Sequence, residues 1–516
     1  MTWLRLFMFT FLLLFVVPSV HTFRVHPSFR TVRSASAIFG RRKSSPRGST
    51  PSVSPNSTPQ ESQKLLERGA WMPIGSAAGL RDLTPTRVEV AGKKLVVWRH
   101  EELWSVMPDA CSHRLAPLSQ GRVDPATGCV ECPYHGWQFG ADGTCEKIPQ
   151  GSGIVPPPGT SLTSLPLRLT GDIIWAFFDE ARPDTAIGET RPFHEFPETI
   201  YPRLLNTTDR TYVRELPYSF DFLIENFMDP AHIPFAHHSL QSVRSDGRPI
   251  PMSVLANNET HLEVSYLDVV RGKEREGVVS FARPCFYHFR TIDQITKESR
   301  MGLFMLTVPV AEGRSRLFIT NNKPSSPSIV LKIFSILPVW LLHSLSNNFI
   351  DTDIWLHDAE MFGRTGGPLT ESAEASVPTN KGLNYVLPTT SDLATKEWRK
   401  WWAKSGMASA PKGSFSAATA AGLAWQPRDV QLDRFENHVA HCGSCRAALA
   451  KAKKVRAFAL IAALAIPTLG LRRMPALAGL TVALATAMVA DNIAKTIGGS
   501  RSADELPVRS VAAAAV

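Results

Sequence analysis

No aspartate or glutamate precedes Glu61 in this chain of 516 residues, whereas eight basic residues do, from Arg5 to Arg47. Those eight supply most of the formal net charge of +10, so the remainder is nearly balanced and gives a nucleic-acid partner no footing. Cysteine is sparse: Cys111, Cys129, Cys132, Cys145, Cys285, Cys442 and Cys445 form an odd set clustered beside histidines. That distribution argues against a disulfide framework and for metal and redox chemistry. No internal repeat of solenoid or propeller length is present. Long apolar runs are also scarce. Ser328–Leu345 is interrupted by Lys332 and Pro338 and reads as a buried or interfacial helix. Ala457–Leu471 and Met474–Ala490, separated by Arg472-Arg473, each sit near the lower limit for crossing a bilayer. They read as a membrane hairpin, with a peripheral helical pair as the alternative.

What is present falls into four stretches. Leu4–Val20 is a short apolar segment that reads as a signal-peptide core, and the acid-free Ser/Arg/Pro-rich stretch after it has the composition of a transit peptide. A signal segment followed by a transit-like one, with Phe23 near the junction, makes residues 1–60 resemble a bipartite plastid leader, with a plain signal peptide and linker as the alternative. Residues 61–185 read as an all-β domain of short strands, with a turn at Ala91-Gly92 inside RVEVAGKKLVVWRH. Residues 186–445 mix strand patterns such as HLEVSYLDVV with helical ones around Phe220–His238 and Ile350–Phe362, an α+β domain. Residues 446–516 hold the hairpin and a tail.

The first chemical motif is Cys111-x-His113 followed, eighteen residues on, by Cys132-x-x-His135. A Rieske [2Fe–2S] centre places two thiolates on one iron and two imidazoles on the other. Each short loop here offers one sulfur and one nitrogen. Zinc also accepts two cysteines and two histidines, but the neighbouring Pro133, Gly136 and Trp137 suit the two-iron centre better. The extra cysteine that respiratory Rieske proteins carry in each loop is replaced by Ala116 and Tyr134, which points to an oxygenase or ferredoxin type. Cys129 and Cys145 fall outside the ligand pattern.

The second motif is ENFMDPAHIPFAHH, with Asn226, Asp229, His232 and His237. Residues three or four apart share a helix face, and Pro234 lets the second histidine be re-aimed from a following turn. Two histidines and one carboxylate make the facial triad of non-haem Fe(II). IDTDIWLHDAE offers Asp351, Asp353 and Asp358 for the carboxylate; Asp353 is preferred and Asp351 is the runner-up. Taken singly, Asp229 could be a helix cap, and His238 and His357 ordinary satisfied histidines.

These motifs, with LDRFENHVAHCGSCRAA after them, resemble the Rieske non-haem iron oxygenases. Within these the chain is similar to the plastid branch that includes pheophorbide a oxygenase, protochlorophyllide a oxygenase, a translocon-associated Rieske protein and, more distantly, chlorophyllide a oxygenase. The resemblance implies an all-β Rieske domain, a helix-grip-like α+β catalytic domain and a C-terminal hydrophobic helical hairpin. It implies that Cys111, His113, Cys132 and His135 hold the cluster and that His232, His237 and Asp353 hold the iron. Asn226 and Asp229 are the further catalytic candidates. Asp229 would bridge His232 to His113 of the partner subunit or to His135 of the partner subunit, in a head-to-tail homotrimer. Electrons would come from a plastid ferredoxin. The substrates would be O2 and a tetrapyrrole, pheophorbide a first, with chlorophyllide a or protochlorophyllide a as alternatives. A redox-sensing, import-associated subunit of the plastid membrane is the reading from a different class.

Cys442 and Cys445 remain. A zinc site there needs a second ligand pair, and His438 or His441 alone does not complete one. A dithiol reducible by a plastid thioredoxin is the expectation, since C-x-x-C spacing can lower a thiol pKa.

Overall fold

The computed structural model describes residues 70–151, 155–178, 210–320 (apart from 294, 297, 298 and 312), 337–365, 386–404, 425–468 and 474–499. The basic leader, residues 328–336 of the central apolar stretch, and Arg472-Arg473 lie outside them.

The first part is built from short strands. β1 (Ala70–Ser76) pairs with β10 (Ile173–Phe178), and β10 with β9 (Leu167–Thr170). A second sheet runs β2 (Thr86–Val90), β3 (Lys93–His100), β4 (Leu103–Pro108). Its β2–β3 turn is the expected one, with positive φ at both Ala91 and Gly92. A small four-stranded sheet, β5 (Arg122–Val123), β6 (Val130–Glu131), β7 (Gln138–Phe139) and β8 (Cys145–Lys147), frames the two cysteine–histidine loops.

The second part is a seven-stranded antiparallel sheet. β11 (Tyr212–Leu216) lies at one edge, followed by β17 (Arg314–Ile319), β16 (Ser299–Ala311), β15 (Phe286–Ile292), β14 (Lys273–Ala282), β13 (His261–Val270) and β12 (Met252–Asn257). Its central strands are buried on both faces because alternate side chains feed two cores. Val213, Phe304, Leu306 and Phe318 point into a core shared with Trp71, Val97 and Trp175 of the first part. Tyr212, Met305 and Leu317 point into the other, against the helices.

Two of those helices grip the sheet: α1 (Phe220–Met228) and, further on, α4 (Leu393–Lys404). Trp398 and Trp401 of α4 pack on Phe281 with ring centroids 5.1 and 5.5 Å away. Arg399 fastens α4 to α1 through Asp221 at 2.6 Å and through Glu225. The helical patterns expected at Phe220–His238 and Ile350–Phe362 are each broken. Asp229 precedes a proline and takes up extended φ/ψ, which ends α1. α2 (Val339–Ile350) and α3 (Leu356–Thr365) are separated by a 3-10 turn at Asp351–Asp353. Both breaks fall where the candidate iron ligands stand.

At the C-terminus α5 (Gly443–Thr468) and α6 (Met474–Gly498) run back along each other. The helix begins at Gly443, so Cys445 lies in its first turn. Arg456 of α5 pairs with Asp491 of α6 at 3.4 Å. Among the described residues one segment, Gly479–Gly498, is long and apolar enough to cross a membrane.

Candidate metal centres

Cys111, His113, Cys132 and His135 sit on two turns of the same shape. Cys111 N donates to Ala116 O at 2.9 Å and Leu115 N to Cys111 O at 2.8 Å. Cys132 N donates to Trp137 O at 2.8 Å and Gly136 N to Cys132 O at 3.1 Å. In each turn the fourth residue after the cysteine has positive φ, 57° at Leu115 and 71° at Gly136. Glycine takes this conformation freely, whereas leucine rarely does. Gln150 steadies the second turn by donating to His135 O at 2.8 Å. The two cysteines are buried, His113 is exposed and His135 half-buried. The imidazoles meet edge-on with centroids 4.7 Å apart, and Trp137 lies flat on His113 at 4.6 Å. Buried sulfurs and outward nitrogens, one of each per loop, are a donor set that fits a two-iron cluster with its nitrogen-ligated iron toward solvent.

The second constellation forms where α1 and α2 end. After α1 breaks, Pro230–His232 makes a 3-10 turn and Ile233–Ala236 one helical turn, which brings His232 and His237 together. Their Nε2 atoms are 3.3 Å apart, and His237 Nε2 is 3.3 Å from Asp353 Oδ2. Ligand atoms of His232, His237 and Asp353 all lie within 4.8 Å of one another. The tautomers are set from behind. His232 Nδ1 donates to the Asp229 carbonyl, and His237 Nδ1 donates to Thr352 Oγ1 at 2.8 Å. Both Nε2 lone pairs therefore face the carboxylate. Asn226 Nδ2 donates to Asp353 Oδ2 at 3.1 Å, while the buried Asp353 Oδ1 has no hydrogen-bond partner among the described residues. An orphaned carboxylate oxygen beside two unprotonated imidazole nitrogens fits a divalent iron and is costly without one.

The remaining acids are placed differently. Asp351 is engaged by Arg214 at 2.5 Å and Arg434 at 2.5 Å. Asp229 accepts from Ala231 N at 2.7 Å, so it does cap the following turn, and burial pushes its carboxyl above the usual range. His357 is a satisfied core histidine, its Nδ1 on Pro217 O at 2.6 Å. A cavity of about 380 Å³ lies behind the loop against Pro230, Ala231 and Ile233. His232, His237 and Asp353 are not among the residues that line it.

Cys442 and Cys445 are free thiols, buried beside His343 and His438. The hydrogen bond from Cys445 holds the Cys442 thiol below the usual range against the effect of burial. The same contact raises Cys445. His441 instead turns toward Glu215, 3.9 Å away. Sequence reasoning missed His343 and Thr352. The one available signal for His343 was a lone polar ring inside the apolar run VWLLHSL.

Residues 70–160 match the family model described as Rieske [2Fe-2S] domain, and residues 281–361 that described as Pheophorbide a oxygenase. The chain is 30% identical to Protochlorophyllide-dependent translocon component 52, chloroplastic, of Arabidopsis thaliana, over 76% of this chain and 76% of that one. It is 28% identical to Pheophorbide a oxygenase, chloroplastic, of Oryza sativa subsp. japonica, over 76% and 75%. It is also 28% identical to Flavonoid 8-hydroxylase 2, chloroplastic, of Ocimum basilicum, over 73% of each chain. Loops for a two-iron cluster, a site for one iron and these relatives converge on one conclusion. The chain belongs to the Rieske non-haem iron oxygenases, oxidoreductases that incorporate O2 with a Rieske cluster and a mononuclear iron, in the branch of pheophorbide a oxygenase and the protochlorophyllide-dependent translocon component.

Proposed function

We propose that this chain oxygenates a chlorophyll-derived tetrapyrrole, pheophorbide a first, with electrons from a plastid ferredoxin. The observation that carries the reading is the convergence of His232, His237 and Asp353, with one carboxylate oxygen unpartnered among the described residues. A subunit that only carried or sensed electrons would have no use for it. Residues 1–60 are then the leader, 61–185 the Rieske domain, 186–445 the catalytic domain and 446–516 the membrane hairpin and tail.

Cys111, His113, Cys132 and His135 would hold the cluster, and His232, His237 and Asp353 the iron. When bound, the cluster supplies electrons and the iron a position at which O2 is activated. Asn226 orients Asp353 through Oδ2 and leaves Oδ1 available. The Asp229 carboxylate is 30% exposed beside His232, a surface on which a Rieske histidine from a second copy could dock in a homotrimer. Exposed Phe458, Ile461, Leu464, Val482 and Met488 give the helical pair an apolar face for the plastid membrane, where a flat apolar pigment dissolves. The chloroplastic names of the relatives support that location.

The test is to reduce the full, iron-loaded chain with ferredoxin without oxygen, and add pheophorbide a, chlorophyllide a, protochlorophyllide a or a flavone. Isotopically labelled O2 follows, with mass spectrometry of the products. Label in a tetrapyrrole is expected, and none with Asp353→Ala. Label only in the flavone, or in no compound, refutes the tetrapyrrole reading. A redox-sensing import subunit is the second reading, drawn from the translocon name of one relative. It requires the role to survive Asp353→Ala.

A further inference from the structure

Four side chains from distant points of the chain meet at the root of the C-terminal helices. His343 comes from the middle of α2, His438 and Cys442 from the loop before α5, and Cys445 from its first turn. Their relative exposures are 1%, 0%, 6% and 1%, and one ligand atom from each lies within 4.8 Å of the other three. We propose that His343, His438, Cys442 and Cys445 bind one Zn2+ in a closed tetrahedral site that clips α2 to the base of the α5–α6 pair.

The distances suit that ion. Cys442 Sγ is 3.3 Å from His343 Nδ1, Cys445 Sγ is 3.6 Å from the same atom, and Cys445 Sγ is 3.3 Å from His438 Nε2. With Zn–S near 2.3 Å and Zn–N near 2.0–2.1 Å, the sulfur–nitrogen edge of a tetrahedron is about 3.5 Å. A two-iron cluster would spread the two ligand pairs over separate metal ions, and four donors gathered this tightly surround a single one.

Both imidazoles are oriented from outside. His343 Nε2 donates to Arg210 O at 3.0 Å, and His438 Nδ1 donates to Val213 O at 2.7 Å. Each ring thereby commits its only proton to a backbone carbonyl and turns a bare lone pair toward the sulfurs, the usual support of a zinc-bound histidine. Tyr212 stacks on His438 with centroids 4.7 Å apart. Val439, Leu449, Ala452, Ala494 and Ile497 complete an apolar shell that leaves no open coordination position, so the ion would be structural. Thiolate-rich tetrahedral surroundings favour zinc over iron or magnesium. On binding, protons still held by the two thiols pass to solvent.

The surroundings show what the clip fastens. A Cβ on Gly443 would lie 2.2 Å from Ala78 O, and one on Gly79 would lie 2.2 Å from His441 O. Only glycines let the ligand loop press on that turn, where Arg446 Nη2 also donates to Gly79 O at 2.7 Å. α2 then leads directly into Asp351–Asp353, so the ion would hold the helix that delivers the Asp353 carboxylate. A disulfide would serve worse. It would deprive both buried lone pairs of their sulfur partners, and a thioredoxin would have to reach sulfurs that are almost fully buried.

The test is metal analysis of the full chain purified from zinc-supplemented cells. One zinc per chain in addition to iron is expected, falling to none in His343→Ala and in Cys445→Ser while the Rieske absorption persists. Because either variant could fail to fold, the wild type is tested as well. Replacing its zinc with Co2+ should give the visible bands of tetrahedral cobalt thiolate, and chelation should expose two further cysteines to alkylation. A wild type without zinc, zinc undiminished in both variants, or a Cys442–Cys445 disulfide in the isolated protein each overturns the proposal.

Discussion

His237 and Thr352 join the two halves of the candidate iron site across 115 residues. The Thr352 hydroxyl donates to Phe349 O at 2.6 Å, so toward the imidazole it can only accept. His237 therefore carries its proton on Nδ1, and Nε2 is left bare 3.3 Å from Asp353.

Thr352→Val removes that acceptor and leaves a buried N–H unpaired, at a cost of about 1–3 kcal/mol. Loss of such a supporting partner lowers metal affinity about 10–100-fold. Iron titration should show weaker retention of the mononuclear iron with unchanged Rieske absorption. Equal retention would mean that Phe349, stacked on His237 at 3.9 Å, fixes the ring without help.

Asp351 and Asp353 should separate cleanly. Asp351 neutralises Arg214, whose side chain is fully buried, and Arg434. Asp351→Asn strands a buried guanidinium and should cost about 3–5 kcal/mol in thermal unfolding, with iron stoichiometry kept below the melting range. Asp353→Asn should do the reverse, losing iron without a comparable loss of stability. Exchanged outcomes would make Asp351 the ligand.

The two iron motifs were legible because their spacing is local. Cys111 and His113, or His232 and His237, are brought together within a turn or two, so sequence distance stands for spatial distance. The sequence offered three acids and favoured Asp353 over Asp351. What sets Asp351 apart in the fold is its ion pair with Arg214 in β11, a strand far away in sequence. His343 went unread for the same reason. His343 is 99 residues from Cys442, and nothing local in α2 shows which way its ring turns. Strand limits in the sheet were blurred because residues such as Leu317 and Phe318 fill opposite cores, which erases the polar alternation that marks a half-exposed strand.

The helical pair should bind membranes through its exposed apolar face. Phe458 is 72% exposed and Ile461 is 61% exposed. Substituting both with aspartate removes no buried contact and leaves the melting temperature nearly unchanged. Flotation with galactolipid vesicles should fall at least tenfold, since a charge in the apolar region costs about 2.5 kcal/mol or more. Unchanged flotation would assign that face to a protein partner.

Glu215 provides a pH test of the join between the two parts of the fold. It binds Arg316 at 2.6 Å and Arg314 at 2.5 Å, and Arg314 reaches on to Glu89 of β2 at 3.3 Å, tying the two parts of the fold together. Burial alone would raise the Glu215 carboxyl, but Arg316, His441 and Arg314 outweigh it and hold the pKa at about 2. A carboxyl depressed on folding contributes its full stability above its unfolded pKa, near 4.5, and loses it as pH falls toward 2. The shift corresponds to about 3 kcal/mol. Glu215→Gln leaves the buried Arg316 without its counter-charge at every pH. Urea unfolding should therefore show a wide stability gap between wild type and variant near pH 7. The gap should narrow from about pH 4.5 downward, as the wild type alone loses its ion pair. A gap that stayed constant across that range would trace the loss to packing around the side chain and not to its charge.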